Sequence, residues 1–275
     1  MFRPVAFPVT CRIERGRAQD PELYIRAMGC QEFSSRDLSN SIFRDVSLRD
    51  AVMRGVDVDG LDIDAPWLLE EPGRLIVNGV DVAPLVDDEL DRRFPGRALR
   101  RASSADGLRD AWAAVEHAWQ SAIRRVDAMQ PGSVDAQIGD EWSFAQTVRH
   151  LVMATDTWLS KAVQGVEQPY PPAGLPDTSF VEDGRDTSVF SVASPSWAEV
   201  LQARADRVGM VREFLGSVSD DELTSTRPNP HAPEHQETVL SCVRTILEEE
   251  WEHLRYATRD LDTLERSQRE DAPRG

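Results

Sequence analysis

Apolar residues fall on different periods in different parts of this chain. Between residues 36 and 66, Leu38, Phe43, Leu48, Met53, Val58 and Ile63 return every fifth position. Two positions before most of them stands a small or apolar residue: Ser41, Val46, Ala51, Val56 and Leu61. Neither a helix nor a strand has that period, and a fixed repeat of this kind points to a solenoid. Pro66 and Pro72 interrupt it. Asn78-Gly79 between β-branched runs then predicts a hairpin over 74–82. Pro84 opens a short amphipathic helix over 85–94, closed by Pro95-Gly96.

Beyond Ser104 the period is helical. The segment 105–129 carries Leu108, Trp112, Val115, Trp119, Ile123 and Val126. The segment 143–164 carries Phe144, Val148, Leu151, Thr155, Trp158, Leu159 and Ala162. Helices over 196–218 and 238–264 follow, with Pro- and Gly-rich loops expected at 165–195 and 220–234. Four amphipathic helices with one apolar stripe each predict a four-helix bundle. The expected fold is therefore mainly α, with a short β-solenoid segment before the bundle. The expected divisions are an irregular segment (1–35), the repeat (36–66), a connector (67–101), the bundle (102–265) and a frayed polar tail (266–275).

The residues between the repeat positions are often acidic, as at Asp57, Asp59, Asp62 and Asp64. Over 36–66 the chain resembles the pentapeptide-repeat family. That resemblance implies a four-sided right-handed β-helix with a Leu or Phe stacked inside each face. Six repeats make only about one and a half turns, and each coil needs a stacked neighbour. A short solenoid docked on the rest of the chain is the expectation.

Composition narrows the function classes. The chain has 275 residues, 40% of them hydrophobic, which supports a substantial core and a prior of about two domains. No apolar run approaches the ~18 residues of a membrane span, and the first residues show no signal-peptide pattern. Three cysteines, Cys11, Cys30 and Cys242, fit a reducing compartment, so a cytoplasmic location is expected. Asp and Glu number 48 against 31 Lys and Arg, a net charge of −17. That argues against binding of nucleic acid through its phosphates, which needs a basic face. Lys161 is the only lysine, and the preference for Arg points to a high-GC genome.

Two of the five histidines are placed suggestively. His150 shares a helix seam with Ser143, Thr147, Ala154 and Thr157, all small or polar, so its ring faces a cleft. Glu249 and His253 are spaced i, i+4, on one face of the last helix and within reach of one ion. Imidazole and carboxylate suit Zn²⁺, Ni²⁺, Fe²⁺ or Mn²⁺, and three protein donors leave a position open for chemistry. The plainer reading of Glu248-Glu249-Glu250-Trp251-Glu252-His253 is a solvated face. His231 and His235, in the loop before the last helix, are candidate general acids or substrate contacts; a solvated loop is the plainer reading. Asp156 and Asp260 are candidate partners orienting a ligating histidine. Arg255, Tyr256 and Arg259 could meet an anionic substrate or simply form surface pairs. Cys242 lies ~10 Å along the axis from Glu249, too far to share an ion with His253, and reads as a small buried hydrophobe. Trp142, Trp158 and Trp251 read as core aromatics, and His117 as a surface residue.

The stretch Glu141-Trp142-Ser143-Phe144-Ala145-Gln146-Thr147-Val148-Arg149-His150-Leu151 resembles the second-helix motif of the DinB/YfiT-like superfamily, where a Trp-Ser helix start precedes a His-Leu metal site. Glu249-Glu250-Trp251-Glu252-His253-Leu254-Arg255-Tyr256-Ala257, continuing to Leu261, resembles its last-helix motif. The resemblance covers 102–265. It implies a four-helix bundle and a divalent metal, commonly held by three histidines; here Glu249 stands at one of those positions. A His, Glu, His set is similar to the mycothiol-dependent maleylpyruvate isomerase branch. Carried over residue by residue, the ligands are His150, Glu249 and His253, the cofactor is zinc or nickel foremost, and the cosubstrate is a low-molecular-weight thiol such as mycothiol.

The first functional reading is thus a metal-dependent enzyme that activates a thiol or water toward a small electrophile. Loops 165–195 and 227–237 would recognise the small-molecule substrate, with no nucleic acid and no membrane involved. Related bundles often pair, so a homodimer is the assembly to look for. The alternative is an acidic pentapeptide-repeat interaction protein that mimics DNA, its bundle non-catalytic. The charge and the repeat aspartates favour that alternative; the short repeat count opposes it.

Overall fold

The structure, a computed structural model, describes residues 33–44, 46–69, 73–177, 180–181 and 184–270. The expectations for residues 1–32 and 271–275 lie outside the described residues. The chain divides into two units, Met1–Asp64 and Ala65–Gly275.

In the first unit the five-residue period is carried by the backbone. Left-handed φ values occur at Ser35, Asn40, Asp50, Gly55 and Gly60. Turn bonds recur every ten residues, from Ser41 N to Leu38 O, Ala51 N to Leu48 O and Leu61 N to Val58 O, at 3.0–3.1 Å. Among the described residues of this unit there is no paired strand. The apolar repeat positions are all exposed, from Leu38 to Ile63, so the residues expected to stack inside the faces are not buried.

The second unit begins with a 3₁₀ turn, Pro66–Leu69, and a hairpin of β1 (Ile76–Val77) and β2 (Val80–Asp81). Asn78 and Gly79 have φ of 49° and 84°, the turn that matches the right-handed twist of a two-residue hairpin. Helix α1 (Ala83–Arg93) follows, with proline in its first turn. Asp87 and Asp91, one turn apart on α1, receive Arg97 and Arg100 from the 3₁₀ turn Arg97–Arg101 at 2.5–3.1 Å.

The bundle consists of α2 (Ala105–Asp127), α3 (Phe144–Thr155), α4 (Trp197–Ser217) and α6 (Val239–Glu270). Each starts on a hydroxyl that accepts a bond from a backbone N–H three residues on: Ser104, Ser143, Ser196 and Thr238. Ser143 with Gln146, and Ser196 with Glu199, form complete capping boxes. The apolar stripes meet in one core that includes Leu108, Trp112, Val115 and Trp119 of α2, Val148 and Leu151 of α3, Val211 and Leu215 of α4, and Val243, Leu247 and Trp251 of α6. Among the described residues no helix is long and apolar enough to cross a membrane.

Three expectations need correction. First, the second bundle helix is not uniform: α3 continues as a π-helical segment, Asp156–Val163. The Thr155 and Thr157 hydroxyls donate to carbonyls four residues back, at 2.8 and 3.0 Å, a bonding pattern that bends helices. Asp156, buried there, is held by Arg207 at 2.9 Å. Second, the span 220–234 is not all loop. It contains α5 (Asp220–Leu223) and strand β3 (Thr226–Pro228), which pairs antiparallel with β4 (Gln236–Thr238). Third, the polar end is not frayed from residue 266. Helix α6 runs to Glu270, with Gln268 donating to Ser133 Oγ at 2.9 Å and Arg269 paired to Glu265 at 3.0 Å.

Candidate metal centre

The capping box fixes where α3 begins, and that places His150 two turns in, facing α6. The Thr238 cap does the same for α6. Glu249 and His253, one turn apart, then lie opposite His150. His150 Nε2 is 3.6 Å from Glu249 Oε2, and His253 Nδ1 is 3.3 Å from the same oxygen. The two imidazole rings stack at 4.7 Å. One potential ligand atom from each of the three residues lies within 4.8 Å of the others, so the group could hold a metal ion.

Hydrogen bonds prepare both rings. His150 Nδ1 faces Leu175 O at 3.3 Å, and His253 Nδ1 faces Glu249 O at 2.8 Å. A neutral ring that donates from Nδ1 to a carbonyl leaves Nε2 unprotonated and ready to ligate. Electrostatics agree for Glu249 and His253. Burial pushes the Glu249 carboxyl up, but the neighbouring His150 and His253 outweigh it and hold it below the usual carboxylate value. Burial, with His150 alongside, drives His253 down to about 4. Burial also opposes charge on His150, yet the Glu249 carboxylate more than compensates, and its pKa is raised. Near neutral pH the trio therefore offers a carboxylate and, at His253, a neutral imidazole, the forms that a divalent cation needs. These observations fit a divalent metal ion.

Trp142 differs from its reading as a core residue. It is half-buried, and its ring covers His150 at 4.8 Å and His253 at 6.2 Å. Tyr256 meets His253 edge-on at 6.3 Å, with Arg255 and Arg259 stacked on its ring. The remaining candidates lie apart from the trio. Asp156 binds Arg207 and Ser160 rather than a histidine, and Asp260 binds Arg259. His231 packs on Trp158 at 5.4 Å, and His235 is exposed beside Glu234. Cys242, Trp158 and Trp251 are fully buried, and His117 is exposed.

Sequence reasoning placed a loop at 165–195 but missed that its Leu175 carbonyl meets His150. A backbone acceptor has no side-chain signature, so only the long loop itself gave any signal. It also missed Asp177, whose charge acts on both His150 and His253.

No curated protein and no solved structure matches the chain. A sequence model of the DinB superfamily matches residues 114–257, just over half of the 275 residues, and the span contains all three members of the trio. That superfamily is generally metal-binding, and this chain belongs to it.

Proposed function

We propose that the protein is a metal-dependent enzyme that uses His150, Glu249 and His253 to hold one divalent ion, zinc or nickel, and acts on a small electrophile. The observation that carries this reading is the convergence of the three donors from two helices, within 4.8 Å of one another. A divalent ion bound there supplies Lewis acidity that favours the deprotonated form of a thiol or water at neutral pH. A low-molecular-weight thiol of the mycothiol type is the preferred cosubstrate, on the strength of the family; water is the other. The chain's own residues do the rest. Leu175 O and Glu249 O orient the rings, and Trp142 shields one side of the pair from solvent. The left-handed residues at five-residue intervals support reading 36–66 as a pentapeptide-type solenoid segment appended to this enzyme.

The test is metal content by mass spectrometry on untagged protein purified without chelators. The native chain should carry about one equivalent of zinc or nickel, as a single three-donor site requires, and Glu249→Ala should carry none. Absence of metal from both proteins, or equal content in both, overturns the reading.

A further inference from the structure

We propose that Arg149 is a positioning residue: its guanidinium clasps the two arms of loop 171–193 and thereby fixes the tautomer and orientation of His150. The inference rests on the reading of His150 as a ligand. Arg149 is 7% exposed, and its four acceptors are all backbone carbonyls. Nε donates to Ala173 O at 2.8 Å and Nη2 to Gly174 O at 3.3 Å, on the first arm. Nη2 also donates to Val192 O at 3.1 Å, and Nη1 to Ala193 O at 2.9 Å, on the second arm. Among the described residues no carboxylate pairs with it. A cation buried against neutral acceptors alone costs solvation, so such a residue needs a reason to be there.

Its place in the chain supplies one. Leu175 N donates back to Arg149 O at 3.4 Å, and Val192 N donates to Pro172 O at 3.1 Å, which ties the arms to each other. The next residue along α3 is His150, whose Nδ1 meets Leu175 O at 3.3 Å. The carbonyl that sets the ring is therefore one residue beyond the carbonyls that the guanidinium grips. Only a planar fork with donors pointing two ways spans both arms; an ammonium is a single point. His253 does not depend on this clasp, because its Nδ1 is held by a carbonyl of its own helix.

That difference gives the experiment an internal control. Imidazole ¹⁵N spectra would be recorded at alkaline pH on the metal-free full chain, for the parent, Arg149→Met and Arg149→Lys. Amide hydrogen exchange of residues 173–175 and 189–193, and zinc affinity by chelator competition, would be measured on the same proteins. In Arg149→Met, His150 should become a mixture of tautomers while His253 keeps its proton on Nδ1. Both loop arms should exchange about tenfold faster or more, and zinc affinity should fall about 10- to 100-fold. Arg149→Lys should shift the same three readouts in the same direction. A His150 tautomer that stays fixed in the variants, or loop exchange that does not change, overturns the proposal. If Arg149→Met does not fold by circular dichroism, Arg149→Lys decides alone. Failure of the metal reading looks different: the parent binds no zinc, while the tautomer and exchange effects persist.

Discussion

Cys242 shows what a single residue discloses in sequence and what it hides. Its spacing from Glu249 placed it away from the trio, and its chemistry made it a small hydrophobe; the structure packs it in the core with no exposure. Burial, with the nearby Glu237, pushes the thiol from 9.0 up to about 12. Native protein should therefore resist iodoacetamide at Cys242 at pH 8.5 and react fully in denaturant, as read by peptide mass spectrometry. A sign follows for stability. The folded pKa is raised, so the contribution is intact below pH 9 and declines as pH climbs from about 9 toward 12, by about 1.4 kcal/mol per pH unit. Cys242→Ala should flatten that alkaline limb in denaturant titrations; an unchanged limb refutes the assignment. Trp142 is the opposite case. A large aromatic beside a helix start reads as core, and only the packing of α3 on α6 brings both imidazoles under its ring.

At the scale of elements, the helices were legible because each has a cap and a stripe, but what fills gaps in a stripe was not. Position 250 lies on the α6 stripe with Val243, Leu247, Leu254 and Leu261, and Arg204 lies between Val200 and Val211 of α4. A run of glutamates still read as a solvated face, since nothing local names a partner 46 residues away. The structure joins them. Arg204 donates twice to the Glu250 carboxylate, at 2.6 and 2.5 Å, both residues are buried, and Trp119 donates to Glu250 O. Removing either partner strands a buried charge. Glu250→Leu or Arg204→Met alone should cost about 3–5 kcal/mol, while the two combined should be near neutral. A double-mutant cycle by urea unfolding measures this, and additive losses would argue against a coupled pair. In α1 the prediction runs through acid. Burial raises the Asp87 carboxyl, but Arg97 and Arg100 outweigh it and hold its pKa below 3.8. A depressed pKa gives stability that is present above about pH 4 and lost as pH falls further. Asp87→Asn should lose part of the neutral-pH stability and show a shallower acid limb.

For the whole molecule, the period-five segment and the bundle announced themselves as different patterns, and they fall in different units. What the sequence could not supply was the closure that unites distant donors. Glu249 and His253 are neighbours in any helix, folded or not, and form at best half a site. His150 joins them only when α3 packs on α6, so an ion held by all three binds the native state and hardly the unfolded one. Such a ligand stabilises by about 2.7 kcal/mol when free ion is at 100 times its Kd. Zinc should therefore raise the Tm of the native chain in a manner that follows free zinc, and His253→Ala should remove the increment without lowering the metal-free Tm by the same amount. All three donors and the carbonyls that orient their rings belong to Ala65–Gly275. A chain starting at residue 65 should show the same zinc-dependent increment as the full chain, measured by scanning calorimetry. An increment that vanishes on truncation would mean that residues 1–64 take part in the site, and one that survives in His253→Ala would mean that zinc binds elsewhere.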